Sequence, residues 1–546
     1  MNKKSDVFDL IIIGGGINGA AIARDAALRG LKVALFEKRD FGSGTTQYST
    51  RLIHGGLRYL EQFQFGLVLE ALQEREHLLK IAPHFVKPLQ FVIPEYERSK
   101  RSFWYLELGM IFYDVLSFLK SLPHHTILWN KHKVLSLEGG LDQKGLKGGV
   151  AYYDAQVNFP ERLCLAHVID AQHHGALVKN YCEVQRILVD DRQVKGVEVF
   201  DITQNRQDTY YAPIVINASG PWVDKTNELL AQHLQKEIGG TKGSHIVVKR
   251  WKDAPDCALY VEAFSDGRPI FIVPWRGDML IGTTDIPYNK NLDCIYPTIS
   301  EAKYFITETN RLFPSANLNL KKVIHCYAGV RPLPIVRKEA PGDIPRSHII
   351  RDYAFLGVKG YISIISGKIT THRSLAQEAV DLVMRKRGRE GKCVTAKVPT
   401  FGGDLVKGSI KNYEDYVKYR VVFWQRKIEL EEGQIRYLIE MFGTKHEEII
   451  KLALRDNKLQ RRVSSYHPDI MAEVEYCLEQ ELVVTLGDFL QRRTGIGSGE
   501  WQGLDCVEKV ALVFKEHFKW SDTMMKGAIE EYKKEVRNFY TLRDAQ

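Results

Sequence analysis

The first forty residues set unbroken apolar runs against glycine-rich and charged breaks. LIII at 10–13 is continuously apolar, the pattern of a strand buried on both faces of a parallel sheet. GGGING follows at 14–19. AAIARDAALRG then has helical composition up to Gly30, and KVALFE at 32–37 is a second predicted strand that closes on Glu37. Two later apolar strands end in small residues, IVINASGPW (214–222) and YISIISGKITTHR (361–373). Both are predicted to return to the same sheet, leaving Gly220 and Gly367 beside whatever it binds. A helix is predicted over 370–386.

The segment SFWYLELGMIFYDVLSFLKSL (102–122) is long enough to cross a bilayer, but Glu107, Asp114 and Lys120 interrupt it. A charge at the bilayer centre costs roughly 2.5–3.5 kcal/mol on insertion scales, so the segment is expected either to lie in a membrane interface or to form a buried helical hairpin. Beyond a predicted linker, GKCVTAKVPTFGG (391–403), helical periodicity takes over. In VEKVALVFKEHF (507–518), residues Val507, Val510, Ala511, Phe514 and Phe518 share one face, and GQIRYLIEMF (433–442) behaves likewise. The basic run RKRGR (385–389) reads as a solvated helix end that could meet anionic lipid.

Composition narrows the class. At 546 residues the chain exceeds one ordinary core, so two or three domains are expected. The net charge of +9 suits an anionic small substrate, a membrane surface or nucleic acid alike and selects none of them. Eight cysteines without a CxxC pair argue against zinc, iron–sulfur clusters and a disulfide framework; no metal is expected. MNKKSDVFDLIIIGGG imitates a signal peptide, but Asp6 and Asp9 break it, and it is taken as the approach to the first strand.

Gly14, Gly16 and Gly19 satisfy GxGxxG, and Glu37 stands 18 residues after Gly19. A lone GxGxxG is weak, but strand, loop, helix, strand and acid together specify a dinucleotide site. Gly14 permits the tight turn, Gly16 the approach of a pyrophosphate, and Gly19 close helix–strand packing. The helix N-terminus favours the negative charge, and Glu37 is placed for the adenosine ribose hydroxyls. Downstream, RLIHGGLRYL (51–60) combines paired glycines, where backbone approaches something closely, with arginines that suit an anion.

Taken in order, GGGINGA, STRLIHGGLRYLE, NASGPWVD, KGSHIVV, IGTTD, AGVRPL, IIRDY and SGKITTHR resemble the FAD-dependent glycerol-3-phosphate dehydrogenases, and PDIMAEVEYCLEQELVVTLGDFLQRRTG (468–495) resembles their helical C-terminal domain. The chain departs from the family's usual residues at 46–48, at Ser219 and at His372. The resemblance implies an α/β FAD-binding Rossmann-like domain of the glutathione-reductase/D-amino-acid-oxidase type. An α+β substrate domain interleaves with it, and an all-helical C-terminal domain follows. The expected division is 1–90, 145–235 and 325–390 for FAD, 91–144 and 236–324 for substrate and a possible membrane interface, and 404–546 for the helices.

The same resemblance implies oxidation of sn-glycerol 3-phosphate to dihydroxyacetone phosphate, with hydride passing to flavin N5 and electrons to a membrane quinone. The protein would sit peripherally on the cytoplasmic face of the membrane, with no nucleic-acid partner and a homodimer left open. It implies FAD contacts from Gly14, Gly15, Gly16, Ile17, Asn18, Gly19, Glu37, Lys38, Thr45, Ser49 and Thr50. Gly55, Gly56, Leu57, Ala218, Gly220, Trp222, Gly367, Lys368, Ile369 and Thr370 complete that set. Phosphate needs planar multi-donor cations, for which Arg58, Arg331 and Arg351 are the candidates, with Tyr59 and Thr284 beside them. Lys368 would stabilise charge on the reduced flavin. The hydroxyl proton needs a base, and His54 and His245 are the two motif-borne candidates, His54 preferred. The alternatives are a glycerol-3-phosphate oxidase that reduces oxygen to peroxide, and a non-catalytic FAD-binding redox sensor.

Overall fold

The computed structural model describes residues 7–56, 64–99, 103–116, 121–230, 232, 234–335, 347–405 and 412–544. The four apolar residues Leu10–Ile13 are the inner strand of a six-stranded sheet, and all four are buried. Across this sheet run, in spatial order, Ile349–Asp352, Tyr361–Ile365, Val215–Asn217, Leu10–Ile13, Val33–Phe36 and Leu177–Lys179. All pair in parallel except the outermost, Ile349–Asp352. Both strands expected to return to the sheet do so, with Asn217 opposite Ile13 and Ser363 opposite Asn217. Helix Ile17–Leu28 covers one face and packs on helices Pro160–His173 and His372–Arg387 through an alanine-rich surface that permits close approach.

A second, ten-stranded and mostly antiparallel sheet is built around Val86–Tyr96, Leu146–Val157, Thr241–Lys249, Pro269–Trp275 and Val323–Arg331. Two of these strands differ from the division expected from sequence. Leu146–Val157 and residues 325–331 of Val323–Arg331 fall in stretches expected for the nucleotide domain, but their ladders run to Val86–Tyr96 and Thr241–Lys249. An apolar strand states that it is buried; it does not state in which sheet.

Residues 412–544 form the helical part, with helices Tyr413–Gln425, Glu432–Phe442, His446–Arg455, Met471–Gln480, Val507–Phe518 and Asp522–Phe539 around their own core. Val507, Val510, Ala511 and Phe514 are buried as the periodicity predicts, and Phe518 lies at the margin against Trp520. The basic run stays exposed, as expected of a helix end, while Arg387 and Arg389 both pair with Asp9 (3.1 and 3.0 Å) and Lys386 pairs with Asp352. The aromatic segment forms one helix, Phe103–Leu116, rather than a hairpin within the described residues. Tyr113 and Met110 face inward, whereas Trp104, Leu108 and Val115 are mostly exposed (70%, 57% and 62%). Among the described residues no helix is long and apolar enough to cross a membrane.

One buried carboxylate of the nucleotide domain gathers two arginines of the helical part. Asp40, fully buried, accepts hydrogen bonds from Arg492 Nε (2.6 Å) and from Arg493 Nη1 and Nη2 (2.6 and 2.8 Å). Burial alone would raise the Asp40 carboxyl, but the two guanidiniums outweigh it and hold it below the ordinary carboxylate range. Its contribution is therefore fully present above about pH 4, the unfolded value, and is lost as pH falls through the lower folded value. Asp40→Ala leaves two buried cations uncompensated and is expected to lower unfolding free energy by about 3–5 kcal/mol, read from urea denaturation at pH 7. The difference between variant and parent should shrink when the titration is repeated well below pH 4.

Candidate active site

Two connected cavities lie between the sheets. The first, about 410 Å³, opens over the C-terminal end of the nucleotide sheet, where Gly14, Gly16, Ile17, Asn18 and Ala218 form its floor. Gly14 is in the left-handed region (φ 103°), and a Cβ there would overlap the Ala218 carbonyl. A Cβ on Gly19 would overlap the Gly14 carbonyl, so Gly19 acts through packing rather than by lining the cavity. The helix beginning at Ile17 directs its first amides toward this floor, although Ile17 N–H is already bonded to Thr46 Oγ1 (3.0 Å).

Glu37 stands on the wall, its Oε2 accepting from Gly15 N–H (2.7 Å) and its Oε1 from Arg39 N–H (2.9 Å). Burial outweighs these two bonds and raises its carboxyl above the usual value. Gly15 is thus tied to Glu37 and its missing side chain leaves room for Phe41. Across the mouth, Asp293 receives Lys38 Nζ (3.2 Å), Arg39 Nη2 (3.0 Å) and Trp222 Nε1 (3.0 Å). Its burial is outweighed by Lys38 and Arg39, which keep the carboxyl below its ordinary range. No motif singled out Asp293, which reaches the site from an irregular loop 250 residues away. The cleft is long, floored by glycine and closed by a helix N-terminus at one end. It fits a dinucleotide whose pyrophosphate sits over Gly14–Gly16.

The second cavity, about 480 Å³, continues from the first; Thr45, Ser49, Pro332, Gly367, Lys368 and Ile369 line both. Such a junction is what a cofactor with a nucleotide end and a reactive ring end requires. Thr45 Oγ1 donates to the Val330 carbonyl (2.7 Å), fixing the shared wall. Gly367 (φ 114°) has no room for a Cβ because Asn18 Nδ2 occupies the position, and this close fit brings Lys368 between the two spaces.

Of the proposed chemistry-bearing residues, His54, His245, Arg331 and Lys368 come together on this second wall, with Thr50, Gly56 and Thr370. His245 is buried, its Nε2 2.9 Å from Thr50 Oγ1 and its ring stacked on Tyr327. Burial, then the Arg331 and Arg51 cations, push its pKa well below the usual imidazole range. His54 meets Phe271 edge-on, and its backbone N–H reaches Thr370 Oγ1 (3.3 Å). Arg331 Nη1 is bonded to the Thr284 carbonyl and to Asp285 Oδ1 (both 3.2 Å), and Nη2 to Thr283 Oγ1 (3.0 Å).

Several candidates lie elsewhere. Arg351 is exposed on the outermost strand of the nucleotide sheet, where Nε and Nη2 grip Glu237 (3.2 and 3.3 Å); it does not line the cavity. Thr284 turns its hydroxyl inward to Glu301 Oε1 (2.9 Å), so Thr283 and Asp285 form the wall instead. Gly55 donates to Tyr113 Oη (3.1 Å), and the space a Cβ would need is filled by Tyr113 and Leu72 rather than by a bound ring. Gly220 (φ 58°) and Trp222 line the first cavity. Leu57, Arg58 and Tyr59 fall outside the described residues. Sequence reasoning missed Tyr152, Tyr260, Phe271 and Arg268 on the second wall. Each is an ordinary strand or turn residue in sequence, and only the curvature of the sheet brings them to one cavity.

Comparison with known proteins bears on this geometry. A model of the FAD dependent oxidoreductase family matches residues 9–373, and one of the C-terminal domain of alpha-glycerophosphate oxidase matches 393–525. A glycerol-3-phosphate dehydrogenase of Synechocystis sp. is 41% identical over 542 residues, covering 97% of this chain and 96% of the relative. The chain belongs to the FAD-dependent glycerol-3-phosphate dehydrogenase family. An aerobic glycerol-3-phosphate dehydrogenase of Staphylococcus aureus is 32% identical over 98% of this chain and 95% of its own. The crystal structure of the Bacillus halodurans glycerol-3-phosphate dehydrogenase complexed with FAD superposes with a TM-score of 0.79 at 27% identity, covering 99% of this chain and 96% of that one. The L-alpha-glycerophosphate oxidase of Mycoplasma pneumoniae, 18% identical over 69% of this chain and 95% of that one with a TM-score of 0.54, shares the fold.

The protein is therefore an FAD-dependent oxidoreductase, and the lining of the first cavity fits the nucleotide part of that cofactor. Gly19→Ala should weaken FAD binding by at least about tenfold (~1.4 kcal/mol), because the new methyl group has only the Gly14 carbonyl to displace. The ratio of flavin to protein absorbance after dialysis, against a parent carried in parallel, measures it.

Proposed function

We propose that this protein oxidises sn-glycerol 3-phosphate to dihydroxyacetone phosphate and passes the electrons to a membrane quinone. The observation that carries the reading is the second cavity, where the fixed Arg331 guanidinium, Lys368 and two histidines line one space continuous with the flavin cleft. Two relatives bearing the dehydrogenase name over nearly the whole chain support the substrate. FAD, when bound, supplies the hydride acceptor.

The remaining work belongs to side chains. Arg331, held from three directions by residues 283–285, offers a pre-oriented cation to the phosphate, so little ordering is needed on binding. Lys368, between the two cavities, lies where a positive charge favours an electron-rich ring. Tyr152, Tyr260 and Phe271 make an apolar wall that keeps water from the carbon that loses hydride. The hydroxyl proton goes to His54 in this reading, because His245 is too weak a base: burial and two neighbouring cations disfavour its charged form.

For the electron acceptor, the support is the helix Phe103–Leu116. Its exposed Trp104, Leu108, Ile111, Phe112 and Val115, with Phe65 and Trp129 alongside, form an apolar surface larger than scattered surface residues explain. The occupant is the bilayer that holds the quinone, on its cytoplasmic face. This helix also reaches the cavity region, since Tyr113 Oη accepts from Gly55 N–H, the neighbour of His54, and donates to Asp154.

Anaerobic addition of sn-glycerol 3-phosphate should bleach the oxidised flavin of the purified protein; an unchanged spectrum in flavin-replete protein rejects the substrate. Reoxidation should then be faster with a soluble quinone analogue than with dissolved oxygen, and the reverse order makes the protein an oxidase. His54→Asn should lower kcat by about 10²–10⁴-fold with FAD retained. His245→Asn should cost less, and should leave the acidic limb of the kcat/KM profile in place. Trp104→Gln combined with Val115→Gln should reduce sedimentation with liposomes and quinone reduction while sparing turnover with a soluble dye.

A further inference from the structure

The cavity carries a cation that no motif marks. Arg268 lies on its wall, at the turn between strands Ala258–Glu262 and Pro269–Trp275. The turn is stiff: Ala263 N–H donates to the Arg268 carbonyl (2.8 Å), Gly267 N–H to the Ala263 carbonyl (3.0 Å), and Arg268 N–H to Asp266 Oδ1 (3.0 Å). The side chain is 51% exposed, and its Nη1 donates to the Asp285 carbonyl at 3.2 Å. Arg331 Nη1 is 3.2 Å from the carboxylate of that same Asp285. A single residue is thus the common neighbour of both guanidiniums, which brings them to the same part of the cavity wall.

Their charges are not equally offset. Asp285 and the Thr283 hydroxyl occupy both terminal nitrogens of Arg331. Among the described residues, the carboxylate paired with Arg268 is Asp266, 3.8 Å from Nε at an exposed position, where such a pair contributes little. A phosphomonoester carries a charge of about −1.5 to −2 and three terminal oxygens, more than one partly occupied guanidinium satisfies. Lys368 lines both cavities, at the junction with the nucleotide cleft.

We propose that Arg268 is a second phosphate-recognising residue, the entrance-side partner of Arg331. It sets the preference for a phosphomonoester dianion over an unphosphorylated polyol. The proposal rests on the glycerol-phosphate reading of the site and deepens it. At the mouth and half exposed, Arg268 also attracts the anion as it arrives, so its contribution weakens with ionic strength.

The test uses the full-length, FAD-loaded protein with Arg268→Ala, Arg268→Lys and, as a control for lost surface charge, Arg186→Ala on the separate three-stranded sheet. Steady-state kinetics with a soluble dye give kcat and KM for sn-glycerol 3-phosphate at several salt concentrations. Calorimetry gives the affinity for inorganic phosphate without reference to turnover. For Arg268→Ala, KM and the phosphate dissociation constant should rise together by about 10–50-fold, with kcat changed less than about threefold and a flatter salt dependence. Arg268→Lys should recover part of the loss, and Arg186→Ala should match the parent. Unchanged KM and phosphate affinity in Arg268→Ala overturn the proposal. So does a loss of kcat together with FAD, which marks Arg268 as structural. Parent flavin that sn-glycerol 3-phosphate fails to bleach rejects the substrate reading instead, and the phosphate calorimetry still decides whether Arg268 belongs to an anion site.

Discussion

The arrangement of both cavities depends on one buried cation, Arg51. Its guanidinium bonds to the Asn158 carbonyl (2.8 Å) and to Glu161 (3.1 and 3.2 Å) on the nucleotide side, and lies over the Trp275 ring, 4.4 Å from its centre, on the other sheet. Burial opposes its charge, but Glu161 and Tyr327 together outweigh burial and favour the protonated form. The reverse does not hold, because burial lifts the Glu161 carboxyl above its usual value even with Arg51 beside it. Such a pair is worth little as net stability, yet removing either partner strands the other. What it supplies is geometry. Residues 45–50 run directly into Arg51, whose φ of 61° turns the chain into the strand Leu52–Ile53. Through that turn the shared wall of the two cavities is tied to both sheets at once.

The nucleotide half was legible because its physics is local. Strand, glycine loop, helix and acid lie within about thirty residues, and the collision that requires Gly19 is with the Gly14 carbonyl inside that same stretch. The return of 214–217 and 361–365 to the sheet followed from apolar runs ending in small residues, which suit strands whose ends border a ligand. The second cavity was only partly legible. Arg331, Lys368, His54 and His245 were named through resemblance, since nothing in their spacing brings residues 54, 245, 331 and 368 together. Arg351 was misplaced because its motif states chemistry but not direction, and a side chain on an outermost strand found Glu237 instead. Arg268 and Asp293 were invisible, as a turn arginine and a loop aspartate are most often solvated.

Among the described residues, the helical C-terminal part carries none of either cavity's wall, yet it shapes both. Arg492 and Arg493 hold Asp40, next to Phe41, whose ring fills the space left at Gly15; Ser43 and Gly44, a little further on, line the nucleotide cleft. Tyr540, near the end of the last helix, stacks on His325, and Gln47 donates to its hydroxyl. This aromatic contact backs the segment that carries Ser49 and Thr50. The departures from the family's usual residues at 46–48 are therefore directed partly toward the helical part. Tyr48 approaches Tyr540 (3.5 Å between hydroxyls), while Thr46 serves the first helix by accepting from Ile17.

Electrostatics then explains why a site with two histidines assigns them different work. Binding an anionic substrate requires cations, and Arg331 with Arg51 behind it raises the positive potential around His245. A second positive charge on that buried ring is disfavoured, so His245 stays neutral and acts as a hydrogen-bonding partner to Thr50. The same cations would lower the basicity of any imidazole placed among them. A base for the hydroxyl must therefore stand apart from the phosphate-binding end. In the proposed reading that base is His54, which lies beside Phe271, is only half-buried, and bonds through its backbone N–H to Thr370 Oγ1. On the proposed reading, the residues that recruit the phosphate also decide which of the two histidines on this wall takes the proton.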